Sequence, residues 1–120
     1  MKILIADDSQ AMRRIVVRSL RQAGFEGHEL VEAENGKQAL DIAQTQGPDL
    51  ILSDWNMPEM NGIEFLAALR AGGKKTPFGF VTTEGTPEMR EKAMSTGADF
   101  MLNKPFTAEQ MQSTLGPFIK

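Results

Sequence analysis

Short apolar runs alternate with segments of helical periodicity along the whole chain. The runs are Lys2–Ala6, Glu29–Ala33, Asp49–Ser53, Phe78–Thr82 and Phe100–Leu102. Ile3-Leu4-Ile5, Leu50-Ile51-Leu52 and Phe78-Gly79-Phe80-Val81 are continuous rather than alternating, which is the pattern of parallel strands buried on both faces. The spacing predicts helices over Gln10–Ala23, Gly36–Gln46, Gly62–Ala71, Pro87–Thr96 and Ala108–Phe118. In the first of these, Met12, Ile15, Val16, Leu20 and Ala23 are expected to form one core-facing stripe. Ser9, Asn35, Asn61, Thr86 and Thr107 stand where amino-terminal caps belong. Asn61 with Glu64, and Thr107 with Gln110, have capping-box spacing. Pro87 suits a first helical position, and Gly24, Gly47, Gly72 and Gly97 fall where helices should stop.

Strand and helix thus alternate five times. That order predicts an α/β fold, a doubly wound (βα)5 five-stranded parallel sheet with right-handed crossovers and helices on both faces. The second strand, with Leu30 and Val31 among acids, is the most polar and should lie at an edge. The short last strand should form the other edge. Neither a linker nor a repeat interrupts the pattern, so residues 1–120 are expected to form a single domain.

Composition narrows the chemistry. With 41% hydrophobic and 24% charged residues the chain reads as an ordinary globular protein. It has no cysteine, which excludes disulfides and thiolate metal sites. The lone His28 excludes a multi-histidine site. A net charge of −3 offers no general attraction to nucleic acid or an anionic membrane, and neither is expected as a partner. No apolar stretch approaches the ~20 residues of a membrane helix. The start, Met1-Lys2-Ile3-Leu4-Ile5, runs directly into a strand without a cleavable signal pattern. A cytoplasmic location is the expectation.

In open α/β sheets ligands sit at the carboxyl ends of the strands. The strand ends here carry Asp7-Asp8, Asp54, Thr82 and Lys104. Taken singly each has an ordinary reading. Asp7-Asp8 is a turn and helix start, Asp54 a strand terminator, Thr82 a β-branched strand residue and Lys104 a surface lysine. Together they place three carboxylates, a hydroxyl and an ammonium at one end of a sheet. Clustered carboxylates repel unless a cation neutralises them, and Mg²⁺ favours such oxygen ligands and bridges to phosphate. An ionised aspartate can act as nucleophile and form an aspartyl phosphate. Lys104 precedes Pro105, which biases it to extended backbone and a strand end, where its ammonium can serve as a point charge for phosphate.

These residues match a known pattern. The pieces are Ile5-Ala6-Asp7-Asp8-Ser9, Asp54-Trp55-Asn56-Met57-Pro58-Glu59-Met60-Asn61-Gly62, Val81-Thr82-Thr83-Glu84, Gly97-Ala98-Asp99 and Lys104-Pro105-Phe106. Over essentially its whole length the chain resembles the receiver domains of two-component response regulators, most closely the small chemotaxis type (CheY type). The resemblance implies a flavodoxin-like sheet of strand order 2-1-3-4-5, for which CheY is itself the standing example. It implies Asp54 as phosphoacceptor, served by a CheA-like sensor histidine kinase. It implies Mg²⁺ held by Asp8, Asp54 and the backbone carbonyl of Asn56, with Asp7 acting through a metal-bound water. Lys104 would pair with the acids and then with phosphoryl oxygens, Thr82 would move towards the phosphoryl group, and the Thr83 N–H would hold an oxygen. Asn56 and Glu84 match residues that tune dephosphorylation in chemotaxis regulators. The output would be protein binding through the face of the fourth helix, fifth strand and fifth helix, with the flagellar motor switch as a candidate target and the regulator itself a monomer. Such a protein is no enzyme beyond catalysing its own phosphorylation and dephosphorylation.

Two positions depart from the family pattern. Met101 stands at the switch position usually held by Tyr or Phe, beside Phe100. Either Met101 fills that place or Phe100 substitutes through a shifted strand end. Thr83 is bulkier than the small residue common there. Competing readings are a receiver excised from a larger or engineered regulator, a flavin-binding electron carrier and an aspartyl phosphatase. The Asp-Asp loop would repel a flavin phosphate, and Asp54-x-Asn56 lacks a phosphatase's second acid.

Overall fold

The structure, a computed structural model, describes residues 1–119. Its elements in chain order are β1 (Lys2–Ala6), α1 (Gln10–Gln22), β2 (Glu29–Ala33), α2 (Gly36–Gln46), β3 (Leu50–Ser53), α3 (Gly62–Ala71), β4 (Phe78–Thr82), α4 (Pro87–Thr96), β5 (Phe100–Asn103) and α5 (Ala108–Leu115). All strand pairs are parallel, in the order β2-β1-β3-β4-β5. The expected fold and both expected edge strands are therefore present.

Strand side chains alternate between faces, and the core divides accordingly. Leu4, Ala6, Ile51, Phe78 and Phe80 meet Ala39 and Ile42 of α2, Phe65, Leu66 and Leu69 of α3 and Ala93 of α4. Ile3, Ile5, Leu50, Leu52, Val81 and Leu102 meet Val16 and Leu20 of α1 and Met111 and Leu115 of α5. This two-sided burial is why β1, β3 and β4 read as unbroken apolar runs. Ser9, Asn35, Asn61, Thr86 and Thr107 each accept a backbone N–H as helix caps. Both capping boxes form, and Gly47 and Gly97 close their helices in left-handed conformation.

Two helices differ from their periodic reading. In α1, Ile15 is 44% exposed while Val16, Leu20 and Ala23 are buried and Met12 is half-buried. Each helical step rotates by about 100°, so the stripe through Val16, Leu20 and Ala23 leaves Ile15 to one side. Helix α5 stops at Leu115 instead of Phe118, because Pro117 has no N–H to continue the ladder. The N–H groups of Phe118 and Ile119 turn back to the Leu115 carbonyl at 2.9 and 3.0 Å. No helix among the described residues is long and apolar enough to cross a membrane.

The two isoleucines separate burial from periodicity. Ile51 lies in the central strand with no exposure. Ile51→Ala should cost about 2–5 kcal/mol of stability in urea unfolding. Ile15→Ala should stay within about 0.5 kcal/mol of the parent.

Candidate functional site

The register of the sheet puts the acids together. Ala6 of β1 lies opposite Ser53 of β3, so Asp7 and Asp54 leave adjacent strands side by side. The Asp54 N–H reaches the Ala6 carbonyl at 2.8 Å and the Asp7 N–H reaches the Ala33 carbonyl at 3.0 Å. Both aspartates are thus anchored through the main chain as the strands end. One carboxylate oxygen from each of Asp7, Asp8 and Asp54 falls within 4.8 Å of the others.

Their environments differ. Asp7 is buried, its carboxylate accepting the Ser9 N–H at 2.9 Å and the Lys104 ammonium at 3.1 Å. The lysine and aspartate side chains are only 7% and 5% exposed, a burial that costs desolvation unless charge is well compensated. Asp8 is exposed. Asp54 is half-buried, and its Oδ1 accepts the Trp55 N–H at 2.8 Å, which leaves Oδ2 free of any hydrogen-bond partner among the described residues. Burial is the main cause that raises the Asp54 pKa. The Lys104 ammonium and the Trp55 N–H pull it down, while Asp7 and Asp8 push it further up.

The loop after β3 is folded closely under this site. The Gly62 N–H bonds to the Trp55 carbonyl at 2.7 Å. Gly62 lies so near the Asp54 carbonyl that a Cβ there would collide with it, so the start of α3 fixes the Asp54 backbone from below. Trp55 packs on Phe80 with ring centroids 4.8 Å apart. Asn56 joins Asp8, Met57, Pro58 and Asn61 around an open cleft of about 450 Å³.

On the other side, Thr82 is buried at the end of β4, and its hydroxyl accepts the Glu84 N–H at 3.3 Å. Thr83 and Glu84 are exposed, and the Asn56 amide donates to the Glu84 carboxylate at 3.3 Å. The Lys104 N–H bonds to the Thr82 carbonyl at 2.8 Å, and the Lys104–Pro105 peptide is cis. Met101 is half-buried opposite Phe80, against the α2–α3–α4 side of the core. Phe100 points to the opposite face, its ring 5.3 Å from Phe118. Strand alternation therefore places Met101, and not Phe100, on the face that Thr82 shares.

The structure brings Asp7, Asp8, Asp54 and Lys104 into one cluster, with Thr82, Asn56 and Glu84 at its margin. The donors suit a hard divalent cation. They are all oxygen, they are acidic, and one ammonium faces three carboxylates. The sequence reading missed Arg13, whose guanidinium donates to the Asp7 carbonyl at 2.6 Å. The available signal was an arginine in the first turn of the helix that follows the acidic strand end.

Comparison with known proteins agrees with this geometry. A family model for the response regulator receiver domain matches residues 3–116. A chemotaxis protein CheY homolog of Campylobacter jejuni subsp. jejuni is 37% identical over 118 residues, 96% of this chain and 89% of that protein. The chemotaxis protein CheY4 of Vibrio cholerae superposes with a TM-score of 0.85 at 39% identity, covering 98% of each chain. The receiver domain of Francisella response regulator 1452 superposes with a TM-score of 0.82 at 28% identity, covering 98% of this chain and 94% of that one. The chain belongs to the response regulator receiver domain family.

Proposed function

We propose that this chain is a chemotaxis-type phosphoacceptor, which takes a phosphoryl group on Asp54 from a phosphohistidine of a CheA-like sensor kinase and thereby changes which protein it binds. The observation that carries this reading is the convergence of three carboxylates within 4.8 Å beside a buried lysine. Asp54 Oδ1 is engaged by Trp55, so Oδ2 is the attacking atom. It forms a bond to phosphorus as the phosphorus–nitrogen bond breaks, and that electron pair returns to the imidazole. Catalysis in such a transfer is mostly positioning and charge neutralisation.

Asp8, Asp54 and the Asn56 carbonyl would hold Mg²⁺, with Asp7 acting through a bound water. The ion supplies positive charge where an anionic nucleophile meets an anionic phosphate. Lys104 leaves Asp7 for the phosphoryl oxygens. The Thr82 hydroxyl and the Thr83 N–H take the remaining oxygens. Asn56 and Glu84, already in contact across the cleft, tune the attack of water that ends the signal. The altered surface is the α4–β5–α5 face, with the flagellar motor switch as its target. On this reading residues 1–120 act as a single cytoplasmic, monomeric domain. It catalyses only its own phosphorylation and dephosphorylation.

With Mg²⁺ and acetyl phosphate, the parent should acquire one phosphoryl group by intact-mass analysis. Asp54→Asn should acquire none, and equal labelling of the two would remove Asp54 from its role. Glu84→Ala should change the decay rate of the label by more than about twofold, without changing its site.

The raised pKa of Asp54 also has a stability consequence. The folded state disfavours ionised Asp54, so the penalty is complete above the folded pKa and disappears below the ordinary aspartate value. Without divalent ions, Asp54→Asn should therefore be more stable than the parent at neutral pH. The advantage should shrink as pH falls through the aspartate range and should vanish when Mg²⁺ binds the parent. Urea unfolding across pH measures it.

A further inference from the structure

Asp8 differs from its two neighbours in what holds it. The Asp7 carboxylate is held by Ser9 and Lys104 and the Asp54 carboxylate by Trp55. Asp8 is exposed, and its carboxylate has no hydrogen-bond partner among the described residues. Its direction is set by the two peptides that flank it, and the Asp8–Ser9 peptide is held by the Ser9 N–H on the Asp7 carboxylate at 2.9 Å. Among the described residues the Asp7–Asp8 peptide has one side-chain tether. Arg13 Nη1 donates to the Asp7 carbonyl at 2.6 Å while Arg13 Nε donates to Glu32 on edge strand β2 at 2.8 Å. The guanidinium side chain is only 12% exposed, so its position is defined by packing as well as by charge. The preceding peptide is fixed separately by the Asp7 N–H on Ala33.

We propose that Arg13 is a positioning residue for the cation site. It clamps the Asp7–Asp8 peptide against β2, through Glu32, so that Asp8 presents its carboxylate to the ion shared with Asp54. This inference rests on the metal-binding reading above. A planar fork can hold a carbonyl and a carboxylate at once, which a lysine ammonium on a flexible stem does poorly. Residues that orient metal ligands commonly contribute about 10–100-fold to metal affinity.

Charge and positioning predict opposite signs. Arg13 is a cation near a cation site, so if it acted only through charge, removing it would tighten Mg²⁺ binding. If it positions Asp8, removing it weakens binding. The experiment titrates Mg²⁺ by calorimetry and by Trp55 fluorescence, in about 0.5 M salt to screen distant charges. Thermal unfolding of each metal-free variant runs in parallel. Arg13→Ala should raise the Mg²⁺ dissociation constant about tenfold. Glu32→Gln, which frees the far side of the fork, should raise it a few-fold. Arg13→Lys should fall between parent and Arg13→Ala.

Unchanged or tighter binding by folded Arg13→Ala overturns the proposal. Should that variant fail to fold, parent-like affinity in both Arg13→Lys and Glu32→Gln overturns it. If the parent itself gives no Mg²⁺ response, the metal reading fails and takes this inference with it. A parent that binds beside variants that bind equally well sinks the role of Arg13 alone.

Discussion

Uncompensated negative charge at two neighbouring strand ends is the constraint on which the rest of the site depends. Three carboxylates share a space less than 5 Å across, facing one buried ammonium. At Asp54 burial is the main influence against ionisation, the Lys104 ammonium opposes it, and Asp7 and Asp8 add to it. Such a cluster is costly as a structural element, since clustered like charges disfavour the ionised forms. On the proposed function it is a receptacle, in which an incoming cation, and then a phosphoryl group, would offset the repulsion among the acids.

The fold imposes it through register. β1 and β3 are adjacent although β2 separates them in sequence, and the chain turns to opposite sides of that junction. A crevice opens at such a point because the connections from the two strands diverge. Strands spaced about 4.8 Å apart place β5 roughly 14 Å from β1. Lysine is one of the few side chains long enough to return across the crevice from a strand end bent inward. The closely packed Gly62 beneath Asp54 and the Arg13 clamp beside Asp7 hold the backbone on either side. The sheet and these two backbone contacts together form the base on which the side chains of the site stand.

Much of this was legible because the local signals and the global fold agree. Strands buried on two faces leave continuous apolar runs, caps and glycines mark helix ends, and four of five strand ends carry reactive groups. Two kinds of feature escaped. Rotational phase was misjudged in α1, where Ile15 looks identical to Val16 in composition but stands outside the core. Contacts made by main-chain atoms were invisible. The Arg13 bond to the Asp7 carbonyl and the exclusion of a Cβ at Gly62 depend on backbone position, which side-chain patterns do not encode.

Met101 shows how the switch half of the proposed mechanism rests on the same sheet. It pairs with Phe80 and lies on the face that Thr82 occupies at the next turn of the pleat. The loop beyond Thr82 is tied to both strands. Its Glu84 N–H bonds to the Thr82 hydroxyl, and Gly85 packs so closely on the Asn103 side chain that no Cβ fits between them. If Thr82 turns towards a phosphoryl oxygen, it withdraws the acceptor from Glu84 and vacates space on the Met101 side. An aromatic ring would respond by moving as a rigid body between two well-separated positions. Methionine, with three rotatable bonds and a polarisable sulfur, can follow in smaller steps. On the proposed function, the close packing of Gly85 on Asn103 would then offer a route from Thr82 to β5 that needs no aromatic ring.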